Sequence, residues 1–72
     1  MIREYAGNLI DINAIVAISD ILIYGEDDIC SFEIYLAGLS VKIDGNYEYV
    51  RGVRDQVVRD WRKAKEQTGG GE

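Results

Sequence analysis

The segment NYEYVRGVRDQVVRDWRKAKEQ, residues 46–67, decides the fold because it carries the clearest helical period in the chain. Its apolar side chains recur every three or four residues, which places them in one stripe along an α-helix. Asn46 is a good N-cap, because its side-chain oxygen can accept from a free backbone N–H of the first turn. We therefore predict one helix over residues 46–67 that covers the core. The stripe consists of Tyr47, Val50, Val53, Val57, Trp61 and Ala64.

Three segments before the helix indicate β-strands joined by short turns. Residues 15–24 (IVAISDILIY) are rich in β-branched side chains, and the adjacent Ser19 and Asp20 interrupt both faces of this segment. Either a β-bulge lies there or the strand is buried on both faces. Residues 29–36 (ICSFEIYL) and 39–44 (LSVKID) alternate apolar and polar side chains, as strands with one buried face do.

Together these segments predict an α+β domain, a small antiparallel β-meander of three to five strands packed by one C-terminal α-helix. Residues 1–5 and 9–12 are further strand candidates, and Asp11 and Asn13 favour a local turn. We expect a single domain over residues 1–67 and a flexible Gly-rich tail over residues 68–72. The predicted inward side chains are Cys30, Phe32, Ile34, Leu36, Leu39, Val41 and Ile43.

Two features of the helix allow more specific expectations. Gly52 marks either a close approach to a strand or an ordinary surface position. Tyr47 and Trp61 are expected to fill the space between the helix and the sheet.

Charge is distributed unevenly along the 72 residues, whose formal net charge is −5. Residues 47–67 carry six basic and four acidic side chains, a net +2, so the remaining residues carry −7. Nucleic-acid binding is disfavoured for an acidic body, because phosphate contacts supply most of that affinity. An acidic body instead suits docking on a basic partner surface.

Several kinds of chemistry are excluded by the residues that the chain lacks. There is no histidine, which removes the commonest general base and most transition-metal sites, and there is no GxxxxGK[ST] phosphate loop. Cys30 is the single cysteine, and its position on an apolar strand face indicates a buried structural side chain. A lone cysteine fits a reducing compartment. We therefore expect a cytoplasmic, non-enzymatic protein without cofactors, metals or a membrane span.

The face of the sheet that a single helix leaves uncovered is the main candidate for a working surface. It would carry Ile29 and several tyrosines, more apolar surface than a lone small protein usually shows. The adjoining turn is acidic and lacks the ligand spacing of an EF-hand, which favours a solvated hairpin turn. We expect this face to be buried against a protein partner or in a homodimer or higher homo-oligomer. The predicted partner-binding residues are Tyr24, Glu26, Asp27, Asp28, Glu33 and Tyr35.

An alternative site lies on the helix and would make the protein a small-ligand sponge or sensor. In this hypothesis Tyr49, Arg51 and Arg54 hold an anionic nucleotide between protomers. Acidic residues interleave with the arginines, however, as in the i,i+4 pair of Arg51 with Asp55. This interleaving favours a solvated face of paired charges.

The runs LIDINAIVAI (residues 9–18) and IYLAGLSVKID (residues 34–44), followed by a helix, resemble small bacterial and phage proteins. Those proteins begin with "LINLDNV" and continue as a meander ending in a helix, some with a truncated pleckstrin-homology-like appearance. The resemblance covers residues 9–66 and implies the fold without a shared active site. Small acidic phage proteins of this size are often inhibitors of host defence systems, so the implied role is binding and blocking a host protein.

Overall fold

The computed structural model describes the backbone of residues 1–24 and 29–69, and side chains up to residue 66. Two antiparallel sheets pack with a single C-terminal helix, which confirms the predicted α+β class. The elements are β1 (Ile2–Tyr5), β2 (Asn8–Asp11), a short 3-10 helix (Ile12–Ala14), β3 (Ile15–Ile18), β4 (Leu22–Tyr24), β5 (Ile29–Leu36), β6 (Leu39–Asn46) and α1 (Tyr47–Gly69).

Strands β1 and β2 form a separate two-stranded hairpin with Tyr5 opposite Asn8. The turn between them needs left-handed backbone at Ala6, with φ of 51°, and at Gly7, with φ of 83°. After the hairpin, the Asp11 side chain accepts from the N–H of Asn13 at 3.0 Å. This bond is the local turn that the sequence predicts, and it leads the chain into the second sheet.

Strand β5 is the centre of the second sheet, with β6 on one side and both β3 and β4 on the other. Ile18 lies opposite Ile34 and Leu22 opposite Ser31, so residues 19–21 face only residues 32–33. The segment is therefore interrupted here into β3 and β4 rather than forming one continuous strand. The register shift that marks a bulge lies earlier than predicted, between Ile15 and Ala17. The interruption at residues 19–21 is hydrogen-bonded, since the N–H of Ser19 donates to the Glu33 carbonyl at 2.9 Å and Ser19 Oγ accepts from the N–H of Glu33 at 2.8 Å.

The core lies between this sheet and α1. The alternation of β5 is as predicted, because Cys30, Phe32 and Ile34 are all buried. Gly52 is a surface position, since a Cβ there would meet nothing within 4 Å. The helix begins as expected, with the N–H of Tyr49 donating to Asn46 Oδ1 at 2.9 Å. The buried apolar residues are Tyr5, Ile10, Ile12, Ile15, Cys30, Phe32, Ile34, Ile43, Val50 and Val57.

Several predicted details are wrong at the ends of elements. Leu39 and Tyr47 are exposed rather than packed inward. Leu39 is the first residue of β6 and Tyr47 directly follows its last, and no described strand lies beyond this edge strand. Trp61, by contrast, is partly buried against the core. Strand β6 also continues through residues 45 and 46, two residues past its predicted end at residue 44. Helix α1 runs to Gly69, two residues past its predicted end at residue 67, and residues 70–72 lie outside the described chain.

Candidate protein-binding face

The cross-strand register assigns side chains to the two faces of the second sheet. Directly opposed residues point to the same face, and successive residues along a strand alternate. The inner face, which carries Phe32 opposite Ile43, is covered by α1. The other side is here called the outer face. Its side chains are those of Leu22, Tyr24, Ile29, Ser31, Glu33, Tyr35, Ser40, Lys42 and Asp44.

The outer face exposes large apolar side chains. Leu22 is 52% exposed, Tyr24 and Ile29 are each 46% exposed, and Tyr35 is 39% exposed. No described element lies over them. The β1–β2 hairpin packs instead on α1, where Tyr5 Oη donates to Asp60 Oδ2 at 2.6 Å. The outer face is therefore left uncovered by the residues that the structure describes.

Polar contacts hold Tyr24 in place on this face. Ser31 Oγ donates to Tyr24 Oη at 3.3 Å, and Ser31 itself is buried. The Nζ atom of Lys42 lies 5.3 Å from the centre of the Tyr24 ring. Because Tyr24 starts on one edge strand and Lys42 on the other, the ring reaches across β5 in a defined orientation. An aromatic side chain fixed in this way loses little conformational freedom when a second surface covers it.

Charged side chains surround the apolar part of the outer face. Glu33 is half-buried and accepts from Ser40 Oγ at 3.0 Å. Lys42 lies opposite Glu33, and Asp44 lies opposite Ser31. The arrangement is an apolar centre with a polar border, as protein interfaces usually have.

The structure brings three of the six predicted partner-binding residues together. Tyr24, Glu33 and Tyr35 share the outer face, whereas Glu26, Asp27 and Asp28 fall in residues 25–28, outside the described chain. Sequence reasoning missed the part played by Lys42. The alternation of residues 39–44 places Lys42 outward, but its contact with Tyr24 depends on the register of three strands, which the sequence does not show.

The three residues of the alternative nucleotide site have different surroundings within one chain. Successive helical residues are about 100° apart, so Tyr49 and Arg51 point to opposite sides of α1. Arg54 is used inside the fold, where its Nε donates to the Ser19 carbonyl at 2.8 Å and its Nη2 lies 3.4 Å from Asp20 Oδ1. Arg51 Nε lies 3.9 Å from Asp55 Oδ2. A nucleotide site built from these three residues would need a second chain.

A further polar cluster joins the hairpin to the helix and was not predicted. Burial, and then the hydrogen bond to Asp60, raises the pKa of Tyr5 well above its ordinary value. Asp60 Oδ1 also accepts from Gln56 Nε2 at 2.9 Å, and Arg3 Nε lies 4.0 Å from Asp60 Oδ2. A tyrosine that holds its proton this firmly is unsuited to proton transfer at neutral pH. The cluster stabilises the contact between the β1–β2 hairpin and α1.

Other kinds of site find no support in the described residues. Nowhere in residues 1–24 and 29–69 do three His, Cys, Asp or Glu side chains cluster as a metal ion would require. No helix within the described residues is both long and apolar enough to cross a membrane. No protein-family model, no curated protein and no solved structure matches the chain.

Proposed function

We propose that this chain is a non-enzymatic protein-binding module that uses its outer face. The observation that supports this most strongly is the exposure of Leu22, Tyr24, Ile29 and Tyr35 on one face that the described chain leaves uncovered. Removing such apolar surface from water is the main favourable term in protein association, at about 25 cal/mol per Å². A partner that covers this face would gain that term without reorganising the sheet.

Tyr24 and Tyr35 are the anchors in this proposal. Tyrosine is enriched among the residues that dominate binding free energy, particularly near the centre of an interface. Tyr24 is already oriented by Ser31 and Lys42, which lowers the entropy lost on binding. Glu33 and Asp44 then form part of the polar border.

The charge distribution indicates the chemistry of the partner. Outside residues 47–67 the chain carries a net charge of −7, and three of the acidic residues there, Glu26, Asp27 and Asp28, follow Tyr24 after a single glycine. The complementary surface is an apolar patch bordered by Lys or Arg. Such complementarity speeds association and makes it sensitive to salt.

A module of this kind can act as an inhibitor without performing any reaction, since it blocks a surface by occupying it. We propose this role against a host protein or defence system, as in phage or mobile-element proteins. The support is the resemblance of residues 9–66 to small phage and bacterial proteins of this layout, together with the acidic composition.

The test is a comparison of two charge insertions. Tyr35→Glu alters the outer face, and Leu9→Glu is its matched control on the β1–β2 hairpin, where Leu9 is 75% exposed. We expect the wild type and the Leu9→Glu variant to retain the same host protein from a cell extract, and Tyr35→Glu to lose it. Titration of that protein in purified form should then show weaker binding by Tyr35→Glu and with added salt. Equal binding by all three chains would remove the outer face from the site.

The nucleotide alternative is tested separately by a thermal-shift series with nucleotides. We expect no saturable rise in the melting temperature, because Arg54 is engaged by Ser19 and Asp20. A saturable rise that Arg51→Ala abolishes would instead support the sponge or sensor.

A further inference from the structure

Strand β6 is a long edge strand with one free side. It pairs with β5 over all eight of its residues, and no other described strand pairs with it. No hydrogen bond from another described residue reaches the backbone on its far side. An unpaired edge of this length is a template for a further strand.

The hairpin formed by β5 and β6 determines which backbone groups of β6 point away from β5. Leu36 lies opposite Leu39 across the two-residue turn at residues 37–38. A two-residue turn closes on a hydrogen-bonded pair, and hydrogen-bonded and non-hydrogen-bonded pairs then alternate along the ladder. The N–H and C=O groups of Ser40, Lys42 and Asp44 therefore point away from β5, and those of Ile43 point toward it.

We propose that a second copy of this chain pairs antiparallel along β6, with Lys42 of each chain opposite Asp44 of the other. The two-fold axis then passes between the two Ile43 residues. This register joins the outward backbone groups of both edges. It also forms two pairs of opposite charge on the outer face, and directly opposed opposite charges stabilise a sheet.

Neighbouring registers are disfavoured by the same side chains. Only shifts of two residues keep outward backbone groups facing each other. A shift in one direction places Lys42 opposite Lys42 of the second copy, and a shift in the other places Asp44 opposite Asp44. Like charges directly opposite each other are destabilising. The pattern Lys42-Ile43-Asp44 is therefore complementary to itself in one register.

The proposed pairing also accounts for exposed apolar side chains at the ends of β6. Leu39 and Tyr47 are both exposed in the single chain. In this register Leu39 approaches Tyr47 of the second copy, so each would cover the other. A chain of 72 residues buries about 60% of its unfolded surface, less than larger domains do, and such chains commonly gain stability by association. The inference does not rest on the proposed partner, because both outer faces stay open on the same side of the joined sheet.

The first test is the mass of the full chain by sedimentation equilibrium. We expect twice the monomer mass of 8.1 kDa for the wild type. Lys42→Asp and Asp44→Lys should each raise the dimer dissociation constant at least about tenfold. The double variant carrying both changes should restore the dimer. Leu9→Glu, a charge added on the β1–β2 hairpin away from β6, is the control and should leave the dimer intact.

The second test fixes the register by crosslinking. In the proposed pairing the Cα atoms of Lys42 in one chain and Asp44 in the other are about 5.5 Å apart, within disulfide reach. The Cα atoms of the two Lys42 residues are more than about 7 Å apart, which is too far for a disulfide. A mixture of Lys42→Cys and Asp44→Cys chains should therefore give a crosslinked dimer, and neither variant alone should do so. A monomeric wild type at every soluble concentration, or a crosslink of Lys42→Cys with itself, would overturn the proposal.

Discussion

The two faces of strand β5 make opposite contributions to the protein. Phe32 and Ile34 are fully buried under α1, whereas Tyr35, directly beside Ile34 in the sequence, is exposed on the outer face. Residues one position apart along the same strand thus serve either the core or the open surface. The comparison teaches that a single helix on a small sheet leaves half of an apolar pattern without a partner, and that this half is available for binding.

The largest expected effect compares Phe32 with Tyr35. Phe32→Ala should lower the free energy of unfolding by about 3–5 kcal/mol, because it leaves a cavity in the core. Tyr35→Ala should cost about 1 kcal/mol or less, as substitutions on an open sheet face do. Urea denaturation measures both. Since a loss of 3–5 kcal/mol can unfold a small domain, Phe32→Leu gives a smaller loss that stays measurable. Equal losses of unfolding free energy in Phe32→Ala and Tyr35→Ala would contradict the assignment of these residues to different faces.

The second comparison is between Tyr5, which is buried where the β1–β2 hairpin contacts α1, and Tyr24, which is exposed on the outer face. Tyr5→Phe should cost about 1.5–3 kcal/mol at neutral pH, because it removes a hydrogen bond to a mostly buried carboxylate. Tyr24→Phe should cost about 0.5 kcal/mol or less, because its hydroxyl accepts a longer bond from Ser31 on an exposed surface. Chemical denaturation at pH 7 distinguishes them, and a costlier Tyr24→Phe would contradict the assignment.

The contribution of Tyr5 to stability should depend on pH in a definite direction. The pKa of Tyr5 is raised in the folded chain above the ordinary value of 10.0. As the pH rises above about 10, the unfolded chain loses this proton while the folded chain keeps it, so the contribution of Tyr5 to stability falls. The stability difference between the wild type and Tyr5→Phe should therefore shrink in that range. A constant difference would show that Tyr5 ionises normally.

A smaller effect separates two arginines of α1. Arg54→Ala should destabilise the fold by about 1 kcal/mol, because its partly buried guanidinium donates to the Ser19 carbonyl between β3 and β4. Arg51→Ala should change stability by about 0.5 kcal/mol or less, since its pair with Asp55 is exposed. Thermal denaturation of both variants is the measurement. A loss at Arg51 as large as that at Arg54 would show that the exposed side of the helix also supports the core.

The smallest expected effect is a gain in stability at Gly52. Gly52→Ala should stabilise the protein by about 0.5–1 kcal/mol, because an alanine there meets open space and favours the helix. Gly45→Ala, on the covered side, should destabilise it. Gly45 has φ of 152°, and a Cβ would lie 3.0 Å from Tyr49 Cδ2. Urea denaturation of both variants should show shifts of opposite sign. If Gly52→Ala destabilised the protein, the added methyl group would have to meet another part of the molecule at this position.

Local patterns in the sequence predicted much of this arrangement. Alternation identified β5 and its inward side chains, the adjacent polar residues at 19 and 20 marked the interruption between β3 and β4, and Asn46 marked the start of the helix. Each of these features depends on neighbours within a few residues. The open outer face followed from counting one helix against a two-sided sheet.

Contacts between distant residues could not be predicted in the same way. Tyr5 and Asp60 are separated by 55 positions, and Arg54 reaches Ser19 across 35 positions. The contact of Lys42 with Tyr24 needs the register of β4, β5 and β6 together. Leu39 was misassigned because alternation gives the direction of a side chain, but not whether anything lies at that end of the strand.

Solvent relaxation enhancement by a soluble nitroxide, measured on side-chain resonances of the free protein, tests the open outer face most directly. The account predicts strong broadening for Leu22, Ile29 and Tyr35 and little for Phe32 and Ile34, at concentrations where the protein is a monomer and where it is a dimer. Protection of the outer-face side chains comparable to that of Phe32 would contradict it, because the face would then already be covered.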